Sequence, residues 1–155
     1  MENRYSVTKI LVINGPNLNN LGRRDPGQYG SVTLPEIETA ISARASELGV
    51  EVAFFQSNYE GAIVDFLQEN SGGTDGIVIN PAALTGMGYS LGDALRDAGL
   101  PLIEVHLSNI HAREEFRRHS VIAPIAVGQV AGLGWRGYLY ALEHMTHHLQ
   151  YGGAA

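Results

Sequence analysis

The chain has 155 residues, which suits one domain with a substantial apolar core, and its formal net charge of -6 argues against a general binder of nucleic acid or anionic membranes. Cysteine is absent, which excludes disulfides, thiolate zinc sites and cysteine nucleophiles. Residues 1–8 lack the pattern of a signal peptide and no apolar stretch is long enough to span a bilayer, so we expect a cytoplasmic globular domain covering residues 1–155.

The predicted elements alternate between strand and helix. Thr33 and Glu36 have the spacing of a capping box, and they predict a helix that ends at Gly49. The predicted strands are residues 9–13, 50–55, 76–79, 101–105 and 121–127. The predicted helices are residues 34–48, 62–70, one ending near 98, a short basic one at 112–118, and 137–150. This order predicts a flavodoxin-like three-layer α/β sandwich with a five-stranded parallel sheet of order 2-1-3-4-5, in which Pro124 suits an edge strand.

Residues 14–30 form a long segment rich in Gly, Asn and Pro between the first strand and the first helix. Loops of this length in compact domains are usually functional or disordered. Tyr29 is close in sequence to Arg23 and Arg24, and a nearby cation favours the ionised form of a tyrosine, which can then act as a base. The segment alone is equally compatible with a mobile loop whose arginines are solvated.

Polar residues follow the carboxyl ends of the predicted strands, the edge at which open α/β sheets bind ligands. Glu104 and His106 are two apart on one strand and share a face, so the carboxylate can orient the imidazole as a general acid or base. A structural histidine is the alternative for an isolated Glu-x-His pair. Further polar residues at these ends are Asn14, Asn17, Gln56, Asn58, Asn80, Ser108 and Asn109. Arg113 and Arg117 lie four apart on the predicted basic helix and can clamp an anion or remain solvated.

Three other motifs have simpler interpretations. Ser90 lies in a Gly-x-Ser-x-Gly pattern, but it falls within a predicted helix rather than directly after a strand, as a hydrolase nucleophile would. The Gly-x-Gly-x-x-Gly pattern at residues 132–137 is too near the end of the chain for a dinucleotide site and predicts a turn. His144, His147 and His148 have metal-compatible spacing, but an exposed or interface cluster is favoured over a metal site.

Taken together, these segments resemble the type II 3-dehydroquinate dehydratase family. The matching segments span nearly the whole chain in the family's order: NGPNLNNLGRRDPGQYG, QSNYEG, INPAALT and EVHLSNIHAREEFRRHS. The resemblance implies the flavodoxin-like fold, a homo-dodecamer built as a tetramer of trimers, and no metal or organic cofactor. It also implies dehydration of 3-dehydroquinate to 3-dehydroshikimate through an enolate, in the shikimate pathway or in quinate catabolism.

The resemblance implies a role for each matching residue. Tyr29 would be the base, Arg24 on the lid formed by residues 14–30 would favour its ionised form, and Asn17 would hold the water that stabilises the enolate. His106, oriented by Glu104, would protonate the departing hydroxyl. The implied substrate-binding residues are Asn80, Leu107, Ser108, Arg117, Arg113 and, from a neighbouring subunit, Asp93.

The chain departs from the family at the wall that binds substrate hydroxyls. It reads TGMG at residues 85–88 where the family usually reads THTS, so Gly86 replaces a substrate-binding histidine. The other departures are Leu84 for an aromatic, Gly92 for arginine, Tyr59 for histidine and Asp25 for glutamate. A paralogue that dehydrates a related β-hydroxy ketone is therefore an alternative, and an assembly protein that has lost catalysis is another.

Overall fold

A computed structural model of the chain describes residues 6–152. Five parallel strands form one sheet in the order β2-β1-β3-β4-β5, which confirms the predicted fold class and strand order. The strands are β1 (Lys9–Asn14), β2 (Glu51–Gln56), β3 (Gly76–Asn80), β4 (Leu102–His106) and β5 (Gly128–Ala131). Because all five run the same way, their carboxyl ends meet at one edge of the sheet.

The single-turn helix α1 (Pro26–Tyr29) lies in the segment after β1. Both faces of the sheet are covered by longer helices, which are α2 (Leu34–Leu48), α3 (Glu60–Asn70), α4 (Tyr89–Ala98) and α5 (Arg136–Tyr151). Ile10 and Val12 of β1 pack into the apolar cluster of α2 and α5, whereas Leu11 and Ile13 pack into that of α3 and α4. Successive side chains of a strand point to opposite faces, so a strand covered on both faces is apolar throughout.

The capping box predicted at the start of α2 is present. The Thr33 hydroxyl accepts from the backbone N–H of Glu36 at 3.4 Å, and the Glu36 carboxylate accepts from the Thr33 N–H at 2.8 Å. Gly49 ends the helix in the left-handed conformation, with φ of 70°. The cap fixes the start of α2, the helix that follows residues 14–30.

Two predicted elements are wrong. The strand predicted at residues 121–127 is a turn with a short 3-10 helix, Ala123–Ile125, and the edge strand β5 follows it. The apolar Ile122 suggests a strand, but it is buried in the core outside the sheet. Pro124 has no backbone N–H, which pairing with a neighbouring strand requires. The basic helix predicted at 112–118 is two 3-10 segments, Ile110–Ala112 and Glu115–Arg118, because Arg113 between them is extended.

Gly15 allows the segments that follow β1 and β3 to touch. Its N–H donates to the Asn80 carbonyl at 2.8 Å, and a Cβ at this position would lie 2.5 Å from the Pro81 carbonyl oxygen. No real Cβ contact is that short, and the obstructing atom belongs to the backbone. A side chain at residue 15 would therefore push apart the two segments that begin at the carboxyl edge.

We expect Gly15→Ala to lower the free energy of unfolding by about 1–3 kcal/mol, as overpacking does in a filled core. The matched control is Gly61→Ala on α3, where a Cβ meets nothing within 4 Å. Alanine there should be neutral or stabilising by ~0.5–1 kcal/mol. Urea unfolding followed by circular dichroism at matched protein concentration measures both, and equal effects would contradict the close approach.

Candidate active site

A cleft of about 160 Å³ opens at the carboxyl edge of the sheet. It is bounded by segments that follow β1, β3 and β4 in the chain. Most of the site residues predicted from the sequence line it: Asn17, Arg24, Tyr29, Asn80, His106, Leu107, Ser108, Arg113 and Arg117. The sequence therefore predicted both the edge and most of the groups that meet there.

Glu104 lies behind His106, with no exposed surface of its own. Its Oε1 is 2.7 Å from Nε2 of His106. Its Oε2 accepts from the Ser120 hydroxyl at 2.9 Å and from the Gln129 amide at 3.0 Å, and the Thr85 hydroxyl also donates to Oε1. A buried charge is tolerated when hydrogen bonds surround it, so these donors allow the Glu104 carboxylate to remain ionised beside the imidazole.

The pKa of Glu104 follows from this environment. Burial raises the pKa, but the hydrogen bonds from His106, Thr85 and Ser120 and the charge of His106 together hold it below the ordinary value of 4.5. An ionised Glu104 accepts from Nε2, so a neutral His106 carries its ring proton on that nitrogen. The carboxylate also stabilises the charged imidazolium whenever the ring gains a second proton.

Tyr29, which also lines the cleft, lies next to two guanidinium groups. Arg113 Nη1 donates to the Tyr29 hydroxyl at 2.9 Å and to the Ser108 hydroxyl at 3.1 Å. The Cζ of Arg24 lies 4.7 Å from the centroid of the Tyr29 ring. Arg117 also lines the cleft and forms an ion pair with Glu114. Two cations next to one phenol stabilise negative charge on its oxygen.

The polar end of β2 supports the cleft from outside. Asn17 has a positive φ of 69°, and its backbone N–H donates to Oδ1 of Asn58 at 2.9 Å. Gln56 donates to the Gly15 carbonyl at 3.2 Å and to Oδ1 of Asn58 at 3.2 Å. The side chains of Gln56 and Asn58 do not line the cleft; they hold the backbone of residues 15–17 instead.

Two further predicted positions lie away from the cleft. Asn14 is fully buried and accepts a hydrogen bond from the Tyr138 hydroxyl. Asp93 is exposed on α4, where its carboxylate is 3.1 Å from Nη1 of Arg96. Its predicted role requires a neighbouring copy of the chain and stays a prediction.

Ser90 and the glycines of residues 132–137 follow their simpler interpretations. Ser90 is in the first turn of α4 and not directly after a strand. Gly132 and Gly134 form the turn between β5 and α5, and their N–H groups donate to the carbonyls of His106 and Leu107. Among residues 6–152, no group of three or more His, Asp or Glu side chains is placed to hold a metal ion. In the same range, no helix is long and apolar enough to cross a membrane.

Sequence reasoning missed the residues that hold the site together. They are Thr85, Ser120 and Gln129 around Glu104, and Tyr138 beside Asn80. Each is one ordinary polar residue whose partner lies far away in the chain. The only available signal was the apolar setting of Tyr138 on α5, which makes its hydroxyl a buried polar group in need of partners.

Comparison with known proteins identifies the family of the chain. The sequence model of the family described as "Dehydroquinase class II" matches residues 8–146. The chain belongs to the class II dehydroquinase family. A relative named 3-dehydroquinate dehydratase from Roseiflexus castenholzii is 61% identical over 135 residues, which are 87% of this chain and 86% of that protein.

Solved structures of other class II dehydroquinases have the same fold. The type II dehydroquinase of Butyrivibrio crossotus superposes with a TM-score of 0.87 at 46% identity, covering 90% of this chain and 97% of the other. That of Propionibacterium acnes gives a TM-score of 0.86 at 40% identity, with 92% and 99% covered. The fold of this chain is therefore that of known type II dehydroquinase structures.

The lowered pKa of Glu104 predicts a pH-dependent contribution to stability. The contribution is fully present above about pH 4.5 and is lost as the pH falls through the lower folded-state pKa, because the unfolded chain then binds the proton more readily. We expect the free energy of unfolding to fall less steeply with acid in Glu104→Gln than in the wild type, in urea titrations between about pH 6 and about pH 3.

Glu38 provides a control of opposite sign. Burial raises the pKa of Glu38, so its contribution to stability grows as the pH falls, and Glu38→Gln should make the acid loss steeper than in the wild type. Identical pH profiles for the wild type and Glu104→Gln would contradict the account of the buried carboxylate.

Proposed function

We propose that this chain is a 3-dehydroquinate dehydratase that converts 3-dehydroquinate to 3-dehydroshikimate and water through an enolate. The observation that carries the proposal is the pairing, in one cleft, of a phenol flanked by two guanidinium groups with a histidine held by a buried carboxylate. An elimination next to a ketone needs a base, an acid and a group that stabilises the enolate.

Tyr29 is the proposed base. As a phenolate it removes a proton from the carbon beside the ketone, and the electron pair moves to the carbonyl oxygen to give the enolate. Arg113, which donates to the Tyr29 oxygen, and Arg24, which lies over the ring, stabilise the phenolate before the transfer. Asn17 at the rim holds the water that donates to the enolate oxygen.

His106 is the proposed acid. When the enolate collapses, the carbon–oxygen bond to the β-hydroxyl breaks, and the leaving oxygen takes a proton from the imidazolium and departs as water. Glu104, 2.7 Å from Nε2, keeps the ring oriented and stabilises its charged form before the transfer. The proton lost from carbon and the proton given to oxygen thus pass through two different side chains.

The substrate carboxylate is proposed to bind beside β3 and β4. Asn80, the Ser108 hydroxyl and the backbone N–H groups of Leu107 and Ser108 supply donors there, and a carboxylate accepts several of them at once. Arg117 faces the ring hydroxyls, and Asp93 reaches them from a neighbouring copy of the chain. Arg113 supports the lid and the base.

The same proposal includes a homo-dodecamer, built as a tetramer of trimers, in the cytoplasm. Tyr59, Met87 and Tyr89 are exposed by 77%, 64% and 67%, and they surround the contact between Glu60 and the start of α4. Exposed apolar side chains of this kind are suited to burial by another copy. We further propose that residues 1–155 form one catalytic domain, with residues 14–30 as its lid, and that it serves the shikimate pathway or quinate catabolism.

The relatives favour 3-dehydroquinate over another β-hydroxy ketone as the substrate. The Roseiflexus relative and one from Endomicrobium trichonymphae, 58% identical over 140 residues, both bear the name 3-dehydroquinate dehydratase. The direct test follows ultraviolet absorbance as purified protein forms the conjugated enone product from 3-dehydroquinate. A folded oligomer without turnover would refute the proposed function.

Tyr29→Phe should lower kcat by at least about 100-fold, because it removes the group that accepts the proton. The control is Tyr151→Phe at the exposed end of α5, which should leave kcat unchanged. Both variants should elute from a sizing column as the wild type does. Substantial activity in folded Tyr29→Phe would exclude the tyrosine as the base.

Gly86→His tests the altered wall of the cleft. A Cβ at Gly86 would lie 3.6 Å from the Phe116 carbonyl oxygen, so the backbone accepts a side chain without strain. A restored histidine should lower KM for 3-dehydroquinate by about 3- to 10-fold by adding a hydrogen bond to a substrate hydroxyl. Gly86→Ala, which adds only the Cβ, should change KM by less than about 2-fold. Equal changes in KM for Gly86→His and Gly86→Ala would show that the histidine forms no hydrogen bond to the substrate.

A further inference from the structure

A buried tyrosine on α5, outside the lining of the cleft, forms hydrogen bonds with side chains at the carboxyl edge of the sheet. The hydroxyl of Tyr138 donates to Oδ1 of Asn14 at 2.5 Å and accepts from Nδ2 of Asn80 at 3.0 Å. The ring itself is 1% exposed, within the apolar cluster between the sheet and α5. The three side chains come from β1, β3 and α5, so this hydrogen-bonded chain links three elements.

The backbone sets the direction of the hydrogen bonds in this chain. Asn80 Oδ1 accepts from the N–H of Ala82 at 3.1 Å, which identifies the oxygen end of the amide and leaves Nδ2 towards Tyr138. The tyrosine hydroxyl therefore accepts from Asn80 and has its own proton for Asn14. Burial raises the pKa of Tyr138, although the Asn80 hydrogen bond opposes that rise, so the hydroxyl keeps this proton at neutral pH.

We propose that Tyr138 is a positioning residue that orients the Asn80 amide so that its second N–H points into the cleft. An amide nitrogen carries two hydrogens, and the hydrogen bond to Tyr138 uses one of them. Asn80 lines the cleft, so the other hydrogen is available to a substrate oxygen. Tyr138 touches no substrate atom and acts only through Asn80.

An unsatisfied amide of Asn14 indicates that the hydrogen bonds around Tyr138 have a functional reason. The Nδ2 of Asn14 is buried and has no hydrogen-bond partner among residues 6–152. An unsatisfied buried donor is unfavourable, and an apolar residue at position 14 would avoid it. The chain has instead an asparagine at position 14, whose Oδ1 accepts a hydrogen bond from the Tyr138 hydroxyl. That hydrogen bond orients the hydroxyl so that its oxygen accepts from Asn80.

This inference rests on the proposed function and adds a residue to it. Because Asn80 is proposed to bind the carboxylate, away from the bonds that change, its misorientation weakens ground-state and transition-state binding alike. Tyr138→Phe should therefore raise KM for 3-dehydroquinate about 3- to 10-fold and change kcat by less than about 2-fold. Tyr140→Phe, on the same helix but 40% exposed, is the matched control and should match the wild type in both constants.

A double-mutant cycle separates positioning from general support of the fold. If Tyr138 acts through Asn80, adding Tyr138→Phe to Asn80→Ala should raise KM no further. A purely structural tyrosine would lower the melting temperature of Tyr138→Phe and leave KM unchanged below it. That result, or additive effects on KM in the cycle, would overturn the inference.

The remaining outcomes are also decisive. Should Tyr138→Phe fail to fold, Asn14→Ala keeps the tyrosine, removes its acceptor and should raise KM in the same way; an unchanged KM would reject the inference. Wild-type protein without turnover of 3-dehydroquinate would refute the proposed function, and this inference with it. Wild-type turnover together with an unchanged KM in folded Tyr138→Phe would refute the inference alone.

Discussion

The buried carboxylate of Glu104 constrains the site more than any other group. A charge without exposed surface is tolerated only when hydrogen bonds replace its water. Those bonds come here from Thr85 after β3, from Ser120 in the segment between β4 and β5, and from Gln129 in β5. Satisfying the charge therefore holds three segments around one point. His106 contributes the remaining contact, so the group that orients the imidazole also joins the surrounding elements.

Close approach of backbone segments is the second constraint, and it explains why the cleft is small and well defined. Gly15 lets the segment after β1 pack against Pro81. A Cβ at Gly132 would lie 3.0 Å from the Cβ of Asn109, so this glycine also allows two segments to approach closely. In residues 6–152 the non-glycine positions with positive φ are Asn17 and Ala82, and both line the cleft. Unusual backbone conformations thus concentrate where donors must converge on a ligand.

The features predicted from the sequence are those that depend on local residue patterns or on the direction of the strands. Alternation of apolar strands and capped helices gave the sheet order, and parallel strands brought Asn80, His106 and Ser108 to one edge. The sequence could not predict β5, because Gly128–Ala131 is short and exposed, whereas the buried Ile122 nearby imitates a strand. Nor could it find Gln129 or Tyr138, whose partners are remote in sequence and carry no spacing rule.

Gly86 shows that the acid–base groups and the wall of the cleft can change separately. The hydrogen bonds around Glu104 pass through Thr85, the residue immediately before the departure, and they are intact. Gly86 itself contributes no side chain, and the nearest atoms to a Cβ there are carbonyl oxygens of Phe116 and His119 at 3.6 and 3.7 Å. Losing a side chain at this point leaves the position of His106 unaffected, because Thr85 and Ser120 hold Glu104 without it. A change at residue 86 therefore alters one wall of the cleft and leaves the contact between Glu104 and His106 in place.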